Sequence, residues 1–204
     1  MIKILNLYAG IGGNRKLWSG DIEVTAVEIN PEIAAIYKEF FPKDKIIIGD
    51  AHEYLLNHYS EFDFIWSSPP CPSHSRVRVM NPVQNKPIFP SMLLYEEIIF
   101  LEQWFDGKWV VENVISYYEP LIKPYVVGSH YYWANFVIPF KVSASREHNS
   151  TIEVKQKRKG FDLSKFSSID KQKVLRNCVE PEMGLYVFNC AFKDKQLKLG
   201  ELND

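Results

Sequence analysis

Two stretches of the chain combine residue types able to do covalent chemistry. The first is IWSSPPCPSHSR, residues 65 to 76, where an apolar run meets Pro69, Pro70 and then Cys71. Each proline ring fixes φ, and the second also restricts the residue before it. The backbone is therefore stiff and extended where the thiol emerges. The loop is polar and carries Arg76 and Arg78 just downstream, which predicts an exposed, partly ionised Cys71 suited to nucleophilic attack. The second stretch is KWVVENV, in which Glu112 follows Val110 and Val111 out of an apolar run. A carboxyl close to apolar neighbours has a raised pKa and can act as a proton donor. Cys178 and Cys190 lie inside apolar stretches and read as small buried hydrophobes.

A second group of residues points to a nucleoside. Tyr8-Ala9-Gly10-Ile11-Gly12-Gly13 closes the first apolar run, and closely spaced glycines let a backbone turn tightly against a ligand. The spacing is G-x-G-G and not G-x-G-x-x-G, because position 15 is arginine; that weakens a dinucleotide reading. The next two apolar runs end in Glu28 and in Gly49-Asp50-Ala51. A carboxylate at Glu28 can accept hydrogen bonds from both ribose hydroxyls, and one at Asp50 from an adenine amino group. Two such carboxylates beside one glycine turn favour an adenosine site.

These residues need a scaffold that gathers the ends of separate runs, and the pattern supplies one. IKILNLYAG, EVTAVEIN, KIIIGD, FDFIWSS and KWVVENV read as strands. Between them lie helical patterns: PEIAAIYKEFF with Pro31 in its first turn and Asn30 as cap, AHEYLLNHYSE, and MLLYEEIIFLEQWF with Ser91 as cap. GNRKLWSG is expected to open a further helix. Continuous apolar strands between helices indicate a parallel sheet covered on both faces, and right-handed crossovers give a Rossmann-like, doubly wound, mostly parallel α/β fold with its ligands at the carboxyl ends of the strands. After residue 120 the aromatic VVGSHYYWANFVIPFKVSAS reads as the last strands of the same sheet. The expected organisation is an α/β domain over 1–140, a short polar segment over 141–175, a helix returning to the domain within 176–192, and a tail over 193–204.

Composition bounds the rest. The chain has 204 residues, 46% of them hydrophobic, enough for one domain with a substantial core. No stretch approaches the roughly 20 apolar residues that cross a bilayer, and three cysteines without scaffold spacing fit reduced thiols in a cytoplasm. No Cys/His cluster has zinc-ligand spacing, so no metal is expected. Lys+Arg number 24 against 25 Asp+Glu; strong non-specific nucleic-acid binding usually leaves a basic footprint, and none stands out beyond KQKRK at 155 to 159.

NLYAGIGG, SSPPCPSHS and VVENV, in this order, resemble motifs of the cytosine-C5 methyltransferases, and RNCVEPEMGLYVF resembles the family's last motif, in which an asparagine and a valine return to the cofactor pocket. The resemblance implies the following roles. S-adenosyl-L-methionine lies against Tyr8, Ala9, Gly10, Gly12, Gly13, Glu28, Ile29, Asp50, Ala51 and Pro70, with Asn177 and Val179 closing the pocket. Cys71 adds to C6 of a cytosine flipped out of DNA, and Glu112 bonds its N3. Ser75, Arg76, Arg78, Asn113 and Val114 line the substrate side.

Three departures accompany the resemblance. The family's Gln-x-Arg-x-Arg string after Glu-Asn-Val is absent, and Arg146 is the nearest replacement for its arginine. Position 72 is proline where the family commonly has glutamine. The segment before Asn177 is too short for the usual target-recognition domain, which implies help from a second subunit, a second copy or a short loop. An RNA acceptor and a non-catalytic partner subunit are the alternative readings.

Overall fold

Apolar residues fill four of the six positions of β1 (Ile2–Leu7), because parallel neighbours flank it and helices cover both faces of the sheet. It pairs in parallel with β2 (Ile22–Glu28) on one side and β4 (Phe64–Ser67) on the other. β3 (Lys45–Ile48) extends the sheet beyond β2, and β5 (Lys108–Val114) extends it beyond β4. A hairpin of β6 (Tyr125–Val127) and β7 (His130–Ala134) then lays β7 antiparallel to β5. The order is β3-β2-β1-β4-β5-β7-β6, the expected doubly wound, mostly parallel α/β sheet, with the aromatic stretch after residue 120 supplying its last strands. The computed structural model describes residues 1–76, 88–139 and 150–192.

Alternation along the strands divides the core in two. Ile4, Phe64, Trp66, Val110 and Tyr132 pack with Trp18 and with α6 (Pro181–Ala191). Leu5, Ile65, Val111 and Trp133 pack instead with α2 (Ala51–His58) and α3 (Leu93–Trp104). Asn30 caps α1 (Pro31–Phe40) as expected, its side chain accepting the N–H groups of Glu32 and Ile33. Residues 150–177 form two further helices, α4 (Ile152–Lys159) and α5 (Lys171–Asn177). Phe161, Leu163 and Leu175 from this region join Ala26, Ile36, Tyr37 and Phe41 in a third cluster.

Two local expectations are overturned. GNRKLWSG runs as turns, not as a helix. Tertiary contacts outweigh its helical pattern: Arg15 forms a two-pronged pair with Asp44 at 2.9 and 3.1 Å, Asn14 pairs with the buried Asn6 at 2.7 Å, and Trp18 stacks on Phe188. Ser91 does not cap α3, whose N-cap is Met92 without a side-chain bond. The Ser91 N–H donates to Ser73 Oγ instead, at 3.1 Å, and so ties the start of α3 to the Cys71 loop. Among the described residues no helix is long and apolar enough to cross a membrane, and no group of three or more His, Cys, Asp or Glu is placed to hold a metal ion.

Candidate active site

The Cys71 loop is held from below and from the side. Pro69 is buried and Pro70 exposed. Asn113 Nδ2 donates to the Pro69 carbonyl at 3.0 Å, while its Oδ1 accepts the Val114 N–H at 2.9 Å. Asn113 is 2% exposed. Expected on the substrate side, it is engaged at both ends of its amide, one bracing Pro69 and the other held by the next residue of its own strand. The Cys71 carbonyl accepts the N–H groups of His74 and Ser75, and the loop then zips onto the chain leaving β5: Arg76 N–H to the Ile115 carbonyl, Tyr117 N–H to the His74 carbonyl, and a bridge between Ser75 and Ser116. The thiol is thereby fixed beside the tip of β5. His74 is buried, with Nδ1 2.6 Å from the Tyr118 hydroxyl; burial lowers its pKa by disfavouring the imidazolium.

Cys71 is half-buried, and its thiol pKa is raised, first by burial and then by the Glu112 charge. This corrects the expectation of an exposed, partly ionised thiol: removing water and adding a nearby carboxylate both disfavour the thiolate. Arg176, at the end of α5, pulls weakly the other way. Glu112 itself is 7% exposed, and His130 Nε2 lies 3.4 Å from its Oε1.

The turn after β1 is left-handed at Tyr8, Gly10 and Gly12, with φ of +54°, +55° and +82°. A Cβ added at Gly10 would meet nothing within 4 Å, whereas one at Gly12 would lie 2.3 Å from the Phe41 ring. Glu28 clamps this turn to the start of α1: Oε2 accepts the Gly10 N–H at 3.0 Å and Oε1 the Asn30 N–H at 2.9 Å. A carboxylate has about four acceptor sites, so capacity for a ribose remains. Ala9 is buried, its N–H bonded to the Val27 carbonyl. Asp50 Oδ1 caps α2 through the Glu53 N–H at 2.9 Å, and Ala51 is buried in the first turn. Ile29 is 67% exposed and Ile48 59%. They stand at the tips of adjacent strands, Glu28 being in register with Ile48. Two bare apolar side chains beside an open left-handed turn fit a flat heteroaromatic ring such as adenine.

The C-terminal segment reaches this turn. A Cβ at Gly13 would lie 2.3 Å from the Val179 carbonyl oxygen, and one at Gly184 would lie 2.4 Å from that of Asn14. Lys159, 4% exposed, donates to the Cys178 carbonyl and pairs with Glu180. Asn177 is exposed at the end of α5, while Ser75 and Val114 are half-buried and Arg76 exposed at the rim. Arg78 and Arg146 lie outside the described residues. Sequence reasoning did not find His74, Glu97, His130 or Arg176. An acidic residue on the apolar side of an amphipathic helix was a readable signal for Glu97; His74 and Arg176 stood inside quoted motifs without being singled out, and His130 carried no signal. A cavity of about 520 Å³ between α3 and the β6–β7 hairpin, lined by Ile98, Ile122 and Trp133 among others, contains none of the candidate residues.

The sequence model of the family described as C-5 cytosine-specific DNA methylase matches residues 2–114. No curated protein matches the chain. Among solved structures, a Spodoptera frugiperda DNMT2 mutant is similar at 22% identity and TM-score 0.47, over 71% of this chain and 54% of that one. The Entamoeba histolytica methyltransferase EhMeth is similar at 16% identity and TM-score 0.44, over 76% and 59%. A TehB-like SAM-dependent methyltransferase from Corynebacterium glutamicum is similar at 20% identity and TM-score 0.37, over 55% of each chain. The chain spans about half the length of the first of these.

Proposed function

The chain belongs to the C-5 cytosine-specific DNA methylase family, and from that premise we propose that it transfers a methyl group from S-adenosyl-L-methionine to C5 of a cytosine in DNA through a covalent Cys71 adduct. The observation that carries this reading is the Cys71 thiol held at the tip of β5 within electrostatic reach of Glu112. Cytosine C5 is a poor nucleophile; addition of the sulfur to C6 places electron density there. Glu112, protonated, hydrogen-bonds N3 and offsets the charge that develops on it. The cofactor supplies an electrophilic methyl on a sulfonium. The residues that would hold it are the turn from Tyr8 to Gly13, Glu28, Ile29, Asp50, Ala51 and Pro70, with Asn177 and Val179 from the returning segment.

In a duplex C6 is stacked, so the base is flipped out at a cost of a few kcal/mol. Ser75, Arg76 and Arg78 are the residues proposed to meet it, and Arg146 the replacement for the missing arginine at the pyrimidine. Target reading is proposed to come from a second subunit or a second copy, since the near-neutral chain offers little footprint for a duplex.

The test is transfer of a tritiated methyl group to DNA of varied sequence, abolished by Cys71→Ala. RNA acceptors run in parallel, and label in RNA alone would move the assignment to RNA. Adduct formation with 5-fluorocytosine separates an enzyme from a non-catalytic partner. Absence of both label and adduct with every acceptor would sink the reading.

A further inference from the structure

Glu112 has a partner that lies outside the quoted motifs. His130 Nε2 is 3.4 Å from Glu112 Oε1, and the two side chains are 18% and 9% exposed. The contact follows from register. β7 runs antiparallel to β5, Glu112 stands opposite Tyr132, and Val114 stands opposite His130. Glu112 and His130 therefore project from one face as a diagonal pair. The second ring nitrogen, Nδ1, lies 3.4 Å from Ser129 Oγ. Of the titratable groups nearby, the Cys71 thiol feels the Glu112 charge and that of Arg176, and Tyr132 stands opposite Glu112 in the strand register.

A carboxyl and an imidazole so close titrate as one unit: a single proton makes either carboxylate with imidazolium or carboxylic acid with neutral imidazole. We infer that His130 is the positioning residue for Glu112, sharing with it the proton that Glu112 delivers to N3 of the cytosine and holding the carboxylate in place once that proton has left. The inference rests on the cytosine chemistry proposed above.

The step balances as follows. Cys71 gives its proton to solvent and bonds C6 as the thiolate, the C5–C6 π pair moves to C4–C5, and the C4–N3 π pair moves onto N3, which takes the proton from Glu112. That proton leaves from Oε2 while Nε2–H donates to Oε1 throughout, so the pair is left as carboxylate and neutral imidazole, with the Ser129 hydroxyl donating to Nδ1. C5, with the C4–C5 pair, would then take the methyl group that a bound sulfonium donor supplies, whose carbon–sulfur pair would stay on its sulfur. N3 returns its proton to Glu112. Loss of the C5 proton to solvent restores the C5–C6 double bond and expels the Cys71 thiolate.

Two measurements test this. The first is an NMR titration of the His130 ring in the wild-type protein and in Glu112→Gln. The expected result is a fall in the His130 pKa by about one unit or more when the carboxylate is removed; an unchanged value overturns the shared proton. The second is kinetic, on His130→Gln, which can hydrogen-bond but cannot hold the extra proton. The expected result is kcat lower by at least about tenfold, with cofactor affinity and melting temperature unchanged and the pH profile altered. A kcat within twofold of wild type overturns the inference, and so does a kcat loss matched by loss of cofactor affinity, which marks a merely structural residue. If the wild type methylates no cytosine acceptor, the functional reading fails and the proton's destination with it, while the titration still reports on the pair.

Discussion

The Tyr8 hydroxyl donates a 2.6 Å hydrogen bond to Oε1 of Glu97, a carboxylate with no exposed surface. The same carboxylate accepts the Ser67 hydroxyl at 2.5 Å and faces His52 Nδ1 at 3.2 Å. One side chain of α3 thus joins the turn after β1, the end of β4 and the start of α2. A buried charge is tolerable with this many donors, and here it steadies Tyr8, a non-glycine residue with φ +54°. Glu97→Ala leaves the Tyr8 and Ser67 hydroxyls without this acceptor. The expected cost is about 2–4 kcal/mol of stability in denaturant titration, with weaker S-adenosylmethionine binding by calorimetry. Unchanged cofactor affinity in a folded variant would show that Tyr8 keeps its conformation without Glu97.

Thiol reactivity follows from the causes that raise Cys71. Glu112→Gln removes a like charge and lowers the thiol pKa, so the midpoint of the iodoacetamide rate against pH moves to lower pH. Arg176→Ala moves it to higher pH. Midpoints identical in both variants would contradict the electrostatic contact.

Gly13 tests the return of the C-terminal segment. A methyl group there would lie 2.3 Å from the Val179 carbonyl oxygen and 2.5 Å from Cys178 Sγ, so backbone has to shift. Gly13→Ala is expected to lower stability by about 1–3 kcal/mol and to weaken cofactor binding more than Gly20→Ala, where a Cβ meets nothing within 4 Å but φ is +107°. Equal cofactor affinity in the two variants would separate Val179 from the pocket.

Cys178 sets an alkaline limit. Its sulfur is enclosed against Gly13 and Val179, and burial pushes its pKa from 9.0 to about 11. The folded state holds this proton more tightly than the unfolded one. The stabilising contribution is therefore complete below pH 9 and is lost as pH rises through about 11. The wild type is expected to lose about 2–3 kcal/mol more than Cys178→Ala over this window in chemical denaturation. Parallel stability curves would assign the alkaline loss to other groups.

Local chemistry explains how much of this was readable in one dimension. Continuous apolar runs named five strands, and Asn30-Pro31 named the start of α1, because caps and burial on both faces act through near neighbours. Cys71, Glu112 and the glycine turn were legible as candidates because strand ends in a doubly wound sheet converge. The fate of GNRKLWSG was not legible, since its helical pattern lost to Asp44, Asn6 and Phe188, all distant along the chain. Nor was the state of the Cys71 thiol, which depends on burial and on a carboxylate 41 positions away in sequence.

The sequence by itself determined the five parallel strands, the helices between them, and the residue types available at each strand tip, because periodicity, capping and turn chemistry are local. Only the tertiary structure decided the pairs: His130 with Glu112 through the antiparallel register of β7, Glu97 with Tyr8 through the packing of α3, and Val179 with Gly13 through the return of the C-terminal segment. Each pair joins residues on separate elements, and their contact depends on how whole elements pack, which no short window of sequence encodes.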